Sequence, residues 1–338
     1  MALLGIILMI MGFVFIVGLC IGSFLNVVIL RALTNESIVF PGSKCPKCQH
    51  ALKWYHNIPV LSYIFLRGQC AFCGCKISIQ YPIVELFTGI MFVLIFLKFG
   101  LGLNALAMMI FTAIMIVLAG TDIKEKVVFD VHTYSLIILG LVYNFFNIGT
   151  FNVGIHLFNI AGHQLPISVS LIYSILGLIA GVIIMEVMAR FGYLVAGARA
   201  FGEGDTFIAA GLGAIFGIRY LFTILILSII IQVIAAIPQF IKKLYSKKDF
   251  VTLYTLGIFV VYVILLKWIS FYVFPYYDII YLILTLGLCA IGIYLCIRIL
   301  KGLKVEENRT YLPFGPAMVF AAFLVMFDIP YLVSKLFM

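Results

Sequence analysis

Charged residues are scarce in this sequence. Only 10% of its 338 residues are Asp, Glu, Lys or Arg, whereas 65% are hydrophobic. The mean hydropathy is +1.23, and a soluble domain would carry about 25% charged residues. Several apolar runs reach the roughly 20 residues that a helix needs to cross a bilayer. The composition therefore excludes an ordinary soluble protein and predicts an all-α polytopic membrane protein.

Familiar sequence signatures of enzymes are missing as well. The chain contains neither Gly-x-Ser-x-Gly nor His-Glu-x-x-His, so it lacks the nucleophile elbow of many serine hydrolases and the zinc motif of many metalloproteases. It also lacks the Gly-rich fingerprint of a Rossmann-type cofactor site. No basic start precedes the first apolar run, which continues into Asn26 and Arg31, so we expect a retained helix and not a cleaved signal peptide.

The net charge of +9 does not require a nucleic-acid partner, and we expect none, because basic residues at membrane edges report orientation. If residues 32–80 are cytoplasmic, 18 of the 22 Lys and Arg residues fall in cytoplasmic segments, and the outer loop 150–167 has none. This asymmetry follows the positive-inside rule. It predicts a location in the cytoplasmic membrane, with the cysteine-containing loop on the cytoplasmic side.

Length and hydropathy predict about nine to ten membrane segments. One of them, residues 206–217, is interrupted by three glycines and is too short to cross a bilayer at 1.5 Å per residue. We therefore expect a half-helix buried in protein at this position. The full set of predicted segments is 3–30, 82–98, 101–120, 132–149, 168–192, 206–217, 221–241, 251–270, 278–298 and 314–334.

Eight cysteines are too few for a disulfide scaffold at this length, but five of them fall between residues 45 and 75. Two Cys-x-x-Cys pairs, Cys45 with Cys48 and Cys70 with Cys73, are separated by 21 residues. This spacing is typical of four thiolates around one tetrahedral zinc ion. A closed four-cysteine site predicts structural zinc, and Cys75 is a spare cysteine that could replace Cys73 as a ligand.

An aspartate follows two glycines in the sequence Gly202-Glu203-Gly204-Asp205, between two apolar runs. The glycines would let a substrate backbone approach closely. Carboxylates at a membrane edge are costly and are often functional, and Asp122, after the apolar run ending at Gly120, is the candidate partner. Two such carboxylates would share one proton and could activate a water molecule. Alternatively, Asp205 caps a helix, and Asp130 could be the N-cap of the next one.

Two glutamates lie within predicted membrane segments near the inner face. Glu85 and Glu186 could each be structural, be paired with a loop Lys or Arg, or line a substrate groove.

The ordered motifs of this chain resemble those of the bacterial prepilin peptidases, or type IV leader peptidases, which are membrane aspartyl proteases of the Gly-x-Gly-Asp kind. The resemblance covers most of the chain. Asp122 and Asp205 match the two catalytic aspartates of the family, and Cys45, Cys48, Cys70 and Cys73 match its zinc ligands. The other matching motifs are Gly18 to Asn26 with Arg31, Asn57 to Tyr63, Tyr81 to Glu85, and Pro313 to Pro316.

The chain also departs from the family pattern. The family often has Leu-Pro-Asp at Val128–Asp130 and a lysine at the position of Phe207, so Asp205 lacks an expected neighbouring cation. Residues 249–298 look like an inserted two-helix hairpin. With it, the predicted organisation is a first transmembrane helix (1–31), a cytoplasmic four-cysteine zinc domain (32–80), a catalytic membrane core (81–248), the hairpin and a C-terminal membrane helix (299–338).

The resemblance implies cleavage of the basic leader from type IV prepilins or pseudopilins, after a glycine at the cytoplasmic membrane face. Gly202, Gly204 and Glu85 are then the candidate substrate-binding residues. Members of the family often also methylate the new amino terminus with S-adenosylmethionine. The alternative interpretation is a non-enzymatic transporter or assembly scaffold with a cytoplasmic zinc ribbon, whose intramembrane acids are ion or proton sites.

Overall fold

The described residues are mostly helical in a computed structural model of the protein. The structure describes residues 2–34, 36–146, 159–160, 163–164, 169–196, 201–246, 248–273 and 313–329, with isolated positions between 284 and 295. The elements are α1 (Ala2–Thr34), a 3-10 helix (Trp54–Asn57), α2 (Leu61–Phe65), α3 (Gln80–Phe99), α4 (Leu103–Glu125), α5 (Asp130–Phe145), a short antiparallel pair of strands β1 (Asn159–Ile160) and β2 (His163–Gln164), α6 (Val169–Ala196), α7 (Glu203–Ser246), α8 (Phe250–Val273) and the Gly315 helix (Gly315–Met326).

Five of the described helices, α1, α3, α4, α6 and α7, are long and apolar enough to cross a membrane. This confirms the prediction of a helical integral membrane protein. The helix predicted at 132–149 is α5, which has 16 residues, and the segment predicted at 314–334 ends as a helix at Met326 and continues into a turn. The segment predicted at 278–298 falls mostly outside the described residues.

The chain divides into two compact units. The first contains Met1–Glu186, Gly202–Ser228 and Pro313–Met338, and the second contains Val187–Phe201 and Ile229–Leu312. All of the candidate site residues belong to the first unit. In the second unit, the amino end of α8 is capped by Asp249, whose carboxylate accepts hydrogen bonds from the backbone N–H and the hydroxyl of Thr252.

Small residues bring α1 and α3 into close contact. A Cβ at Gly18 would lie 2.7 Å from the Cα of Gly89, and one at Gly22 would lie 2.7 Å from the Cα of Glu85. Glycines four residues apart allow helix backbones to approach closely in a membrane, where packing replaces the hydrophobic effect as the cause of association. The Asn26 amide on α1 also donates to the carbonyl oxygen of Tyr81 at 3.1 Å. This crossing positions both ends of the loop between the two helices.

The predicted half-helix is the first part of α7, and it runs from Glu203 to a break at Gly217. Gly217 has φ 73° and ψ 170°, a backbone conformation that glycine adopts without steric cost. The prediction that Gly211 and Gly213 also interrupt the segment was wrong, because both are helical. Instead, Gly213 packs backbone to backbone against Gly177 of α6.

The half-helix is buried in protein, as predicted from its length. Residues 208–210, 212 and 214–216 are each at most 2% exposed. A Cβ at Gly181 of α6 would meet the backbone of Ala209 at 2.6 Å, and one at Gly140 of α5 would meet Ala214 at 2.8 Å. The half-helix therefore occupies a slot whose walls are small residues of α5 and α6.

A helix that breaks inside a membrane leaves carbonyl oxygens without intrahelical partners, and these must be satisfied within the protein. Two polar side chains do this at the Gly217 break. The Asn144 amide donates to the carbonyl oxygens of Ala214 at 2.7 Å and Ile215 at 3.1 Å, and the Ser174 hydroxyl donates to Ala214 at 2.5 Å. Ser170 in turn donates to the Asn144 amide oxygen at 2.9 Å. These side chains therefore satisfy the carbonyl oxygens of Ala214 and Ile215, which lose their intrahelical partners at the break.

We expect Asn144→Leu to lower the free energy of unfolding in detergent by about 1–3 kcal/mol, since it leaves the carbonyl of Ile215 without this buried donor. Ser174→Ala is the matched control, because the Asn144 amide still serves the carbonyl of Ala214, so its effect should be smaller. Thermal and denaturant unfolding of the purified variants measures both. Equal stability of Asn144→Leu and the unaltered protein would contradict this account of the break.

Candidate active site and metal centre

Asp122 lies in the last turn of α4 and is only 5% exposed. The expectation that Asp122 follows the helix was wrong by one turn, because α4 continues to Glu125. The N–H of Lys126, the C-cap residue, donates to the Asp122 carbonyl oxygen. The Asp122 carboxylate accepts a hydrogen bond from the backbone N–H of Gly315 at 3.0 Å. The carboxylate is therefore held by a residue 193 positions later in the chain.

Asp205 lies in the first turn of α7 and is 8% exposed. Its carboxylate reaches back and accepts a hydrogen bond from the N–H of Gly202, the residue before the helix, at 3.1 Å. This is one half of a capping box, in which the third helical residue satisfies the N–H of the N-cap. The alternative that Asp205 caps a helix is therefore correct in part. One carboxylate oxygen of Asp205 makes this capping bond. Asp205 itself lies at the amino-terminal start of the buried half-helix.

Gly315 lies between Asp122 and the half-helix that carries Asp205. A Cβ at this position would lie 2.5 Å from Oδ2 of Asp122 and 3.5 Å from Cδ1 of Ile208, which is one turn after Asp205 on the half-helix. The charge of Asp122 also acts electrostatically on Asp205. The structure thus brings α4, the half-helix and the Gly315 helix to one place, with a glycine where their surfaces meet.

The start of the Gly315 helix presents a single donor toward Asp122. Pro316 has no N–H, and the N–H groups of Ala317 and Met318 both bond to the carbonyl oxygen of Phe314. The N–H of Gly315 therefore remains for the Asp122 carboxylate. A carboxylate at a helix amino terminus is also favoured by the helix dipole.

Asp130 is separate from this arrangement. It is the first residue of α5, its side chain is exposed, and the N-cap position is occupied by Phe129. The expectation that Asp130 is an N-cap was therefore wrong by one position. Glu186 lies half-buried on α6.

Glu85 is buried on α3, and its carboxylate serves the loop that precedes α3. It accepts a hydrogen bond from the backbone N–H of Val60 at 2.7 Å, and the Ser23 side chain of α1 lies beside it. Val60 has φ 61°, which is unusual for a β-branched residue. Glu85 therefore fixes a strained backbone position of the loop against the α1–α3 pair.

The two glycines of the Gly-x-Gly-Asp sequence have different surroundings. Among the described residues, the nearest atom to a Cβ added at Gly202 would be Oδ2 of Asp205 at 3.7 Å. Beside Gly204 the space is filled by the side chain of Val128, which a Cβ would overlap. Phe207, at the position of the family lysine, packs its ring on Tyr134 at 5.7 Å. Gly204 thus has a packing role within the chain, whereas the described residues leave room beside Gly202.

The four cysteines of the two Cys-x-x-Cys pairs form a group that could hold a metal ion. The sulfur atoms of Cys45, Cys48, Cys70 and Cys73 all lie within 4.8 Å of one another, and those of Cys45 and Cys73 are 4.0 Å apart. Zn–S bonds of about 2.3 Å in a tetrahedron require sulfur atoms about 3.8 Å apart. The donor set and its spacing therefore fit zinc.

The two cysteine pairs lie in a repeated turn. In the first, the N–H of Cys45 donates to the carbonyl oxygen of His50, and the N–H of Gln49 donates to that of Cys45. In the second, the corresponding bonds join Cys70 with Cys75 and Gly74 with Cys70. Gln49 and Gly74 both have positive φ values, of 57° and 69°.

In the second turn Cys75 occupies the position that His50 occupies in the first turn. That position is not one of the four ligand positions. The sulfur of Cys75 nevertheless lies 3.6 Å from that of Cys45. The thiol of Cys45 favours the thiolate form. Backbone hydrogen bonding from Cys48 lowers its pKa to about 6, although burial opposes this shift.

Two residues of this region were missed by the sequence interpretation. Asn144 was counted only within an apolar segment, although a buried asparagine in a membrane helix is a signal of function or of structural necessity. Gly315 was noted within the Pro313 to Pro316 motif, but no local pattern indicates which side chain its N–H contacts.

Comparisons with known proteins identify related proteins. Residues 16–99 match the bacterial peptidase A24 N-terminal domain, and residues 109–237 match the type IV leader peptidase family. The prepilin leader peptidase/N-methyltransferase of Neisseria gonorrhoeae is 33% identical over 252 residues, which are 68% of this chain and 82% of that protein. The protein of the same name from Klebsiella pneumoniae is 33% identical over 212 residues, which are 61% of this chain and 85% of that protein.

A third relative, the prepilin leader peptidase/N-methyltransferase of Myxococcus xanthus, is 34% identical over 214 residues, which are 63% of this chain. The match spans 58% of the length of that relative. No solved structure matches this chain. The two family domains and the extent of the Neisseria match show that this chain belongs to the type IV leader peptidase family.

Proposed function

We propose that this protein is a membrane aspartyl endopeptidase that removes the basic leader from type IV prepilins or pseudopilins. Family membership supports the reaction, and the printed names of the relatives support the substrate class. The observation that carries the proposal is the buried pair of Asp122 and Asp205, each held by a backbone N–H. A transporter or scaffold remains the alternative interpretation, and no contact of these residues favours it.

In the proposed reaction the two aspartates share one proton, because two close carboxylates cannot both ionise. The ionised aspartate takes a proton from a water molecule, and the oxygen of that water attacks the carbonyl carbon of the scissile peptide bond. The protonated aspartate donates a hydrogen bond to the carbonyl oxygen. When the C–N bond breaks, the leaving amine takes a proton from the dyad. The products are the free leader and a pilin with a new amino terminus.

We infer that the substrate reaches the dyad beside Gly202, where the described residues leave room. For cleavage after a small residue, an extended substrate backbone would lie beside Gly202. Glycine has no side chain that would block this approach. Gly204 would contribute indirectly, because Val128 packs closely enough to fix the start of the half-helix. Glu85 would act through Val60 by positioning the loop. We therefore infer a direct substrate contact for Gly202 and supporting roles for the other two residues.

The proposed orientation places both aspartates and the cysteine group at the cytoplasmic face, with nine to ten membrane segments in total. The distribution of Lys and Arg supports it. We also retain the division into a first helix, a zinc domain, a catalytic core, an inserted hairpin and a C-terminal helix. A cysteine introduced at Lys248 should react with an impermeant reagent only from the cytoplasmic side, and labelling from the outside would contradict the orientation.

We infer that the four cysteines hold one structural zinc ion. Four protein thiolates leave no open coordination position, so this ion would stabilise the loop and take no part in peptide hydrolysis. The binding energy would contribute directly to folding of residues 36–79, which contain only two short helical elements.

Cys70→Ser should abolish stoichiometric zinc and increase proteolytic cleavage within the loop, because one of four ligands is lost. Cys75→Ser is the control and should keep its zinc, since Cys75 occupies the position that corresponds to His50. Metal analysis of the purified proteins measures both effects. Zinc loss in Cys75→Ser would mean that Cys75, and not Cys73, is the fourth ligand.

Methylation of the new amino terminus is proposed only from the names of the relatives, which are peptidase/N-methyltransferases. The described residues contain no strand, Gly-rich turn and helix of the kind that holds many nucleotide cofactors. These residues therefore do not form a Rossmann-type site for S-adenosylmethionine, and we propose no residue of this chain as its ligand.

Co-expression with candidate prepilins, followed by mass analysis of the pilin amino terminus, tests the proposed function. Loss of the leader mass is the expected result, and an additional 14 Da, about the mass of one methylene group, would report methylation. A scaffold or transporter would leave every candidate prepilin uncut. In a scaffold, substitution of either aspartate would also leave the cellular role of the protein unaffected.

A further inference from the structure

The loop between α1 and α3 contains an apolar segment with no charged residue, Ile58–Leu66, which we call the loop anchor. It includes the whole of α2. The side chains of Leu61, Ile64 and Phe65 are 51%, 61% and 80% exposed. Residues at i, i+3 and i+4 lie on one face of a helix. The loop anchor therefore presents an apolar face that the described part of this chain does not cover.

The depth of this face follows from the contact between Glu85 and Val60. Glu85 is five residues into α3, about 7.5 Å from the start of that helix at 1.5 Å per residue. Its carboxylate accepts the N–H of Val60, the residue just before α2. The start of α2 therefore lies beside the membrane-spanning helix α3 and not beyond its end.

The packing of α1 gives a second measure of the depth of Glu85. The Cα of Glu85 lies against Gly22, and Gly22 precedes Arg31 by nine residues, or about 13.5 Å along α1. The Arg31 guanidinium donates to the carbonyl oxygens of Ser37 and Pro41, at the beginning of the loop. If Arg31 marks the level of the lipid headgroups, then Val60 lies well inside that level.

The charges of the loop favour a lipid surface as the occupant of the exposed face. Residues 37–80 contain five basic residues and no acidic one, a composition that anionic headgroups attract. Lys53 and Arg67 flank the loop anchor on its two sides, and both are exposed. Trp54, beside Lys53, is 79% exposed, and tryptophan is typical of membrane interfaces.

We propose that the loop anchor is a re-entrant interfacial segment, in which Leu61, Ile64 and Phe65 insert into the acyl region of the bilayer while Lys53 and Arg67 contact anionic headgroups. The cysteine-containing loop is then attached to the membrane surface at a third place, in addition to its two ends. This attachment would hold the loop against the membrane beside α3. The proposal does not depend on the peptidase activity.

Tryptophan quenching in nanodiscs tests this proposal. Phe65→Trp is made in a Trp54→Phe, Trp268→Phe background, so that it is the sole tryptophan. The protein is placed in nanodiscs of phosphatidylcholine and phosphatidylglycerol whose phosphatidylcholine carries brominated acyl chains. Phe13→Trp in the same background is the reference, because Phe13 is 68% exposed on α1. Leu61→Trp is the second test variant, in case Phe65→Trp folds poorly.

The expected result is quenching by brominated lipid of at least about half that of the Phe13→Trp reference, together with protection from aqueous iodide. Iodide quenching without lipid quenching would place the segment in water and overturn the proposal. Protection from both quenchers would mean that protein covers this face, such as a second copy of the chain, and would overturn it as well.

Discussion

Replacing Asp122 or Asp205 with asparagine should lower the rate of leader cleavage by about 10³-fold or more, within the range that general acid–base groups contribute. Asparagine keeps the volume and can still accept the hydrogen bond from Gly315 or Gly202. It cannot take a proton from water. Expression, zinc content and thermal stability should therefore persist while cleavage falls. The rate is measured with purified enzyme and a prepilin substrate in detergent.

Asp130→Asn is the matched control and should keep its activity, because that carboxylate is exposed and lies outside the pair. Since the dyad needs one shared proton, activity should also fall at both low and high pH. If Asp130→Asn abolishes cleavage while Asp122→Asn does not, the wrong aspartate has been assigned. If neither Asp122→Asn nor Asp205→Asn affects cleavage, the protein is not an aspartyl peptidase of the proposed kind.

Gly315→Ala should lower the turnover number by about 10²-fold, the cost of a displacement of about 1 Å at a catalytic group. The added Cβ would lie 2.5 Å from Oδ2 of Asp122, so the carboxylate must move. The backbone of Gly315 is not in the left-handed region, and alanine can adopt its conformation. The defect should therefore appear in turnover rather than in folding, as measured by cleavage kinetics and melting temperature.

Gly12→Ala provides the control, since no atom lies within 4 Å of an added Cβ at that position. A loss of folded protein would scale the pH–activity profile without moving it, whereas a weakened hydrogen bond to the ionised carboxylate should move its acidic limb to higher pH. Lys126, whose charge acts on Asp122, and Asp205 are unaltered in this variant. Full activity in Gly315→Ala would rule out a positioning role.

The sequence was sufficient for those features that depend on local patterns. Hydropathy located α1, α3, α4 and α6 to within a few residues, and the length of the apolar stretch after Asp205 predicted a buried half-helix. The spacing of the cysteines predicted their grouping. In each case the physical cause lies within one short stretch of the chain, whether the bilayer thickness or the reach of two sulfur atoms to one ion.

Features that depend on contacts between distant residues could not be predicted in this way. The sequence led us to explain both glycines before Asp205 by close approach of a substrate. The structure explains Gly204 instead by the side chain of Val128, which packs against it. A glycine in a sequence indicates close approach without saying whether a ligand or the chain itself approaches. Likewise, neither the bond from Gly315 to Asp122 nor the amide of Asn144 at the Gly217 break follows from a periodicity. Both depend on how the helices pack.

The contact between Gly177 and Gly213 limits how the site can open for a substrate. Side chains can exchange rotamers and let two helices slide, but a contact made of main-chain atoms has no such freedom. The half-helix, which carries Asp205, is therefore held rigidly against α6 by the backbone contact between Gly177 and Gly213. We therefore expect admission of a substrate to involve displacement of α4 or of the Gly315 helix. These two elements are joined by the hydrogen bond between Gly315 and Asp122 and by the edge-on contact of Phe111 with Phe323.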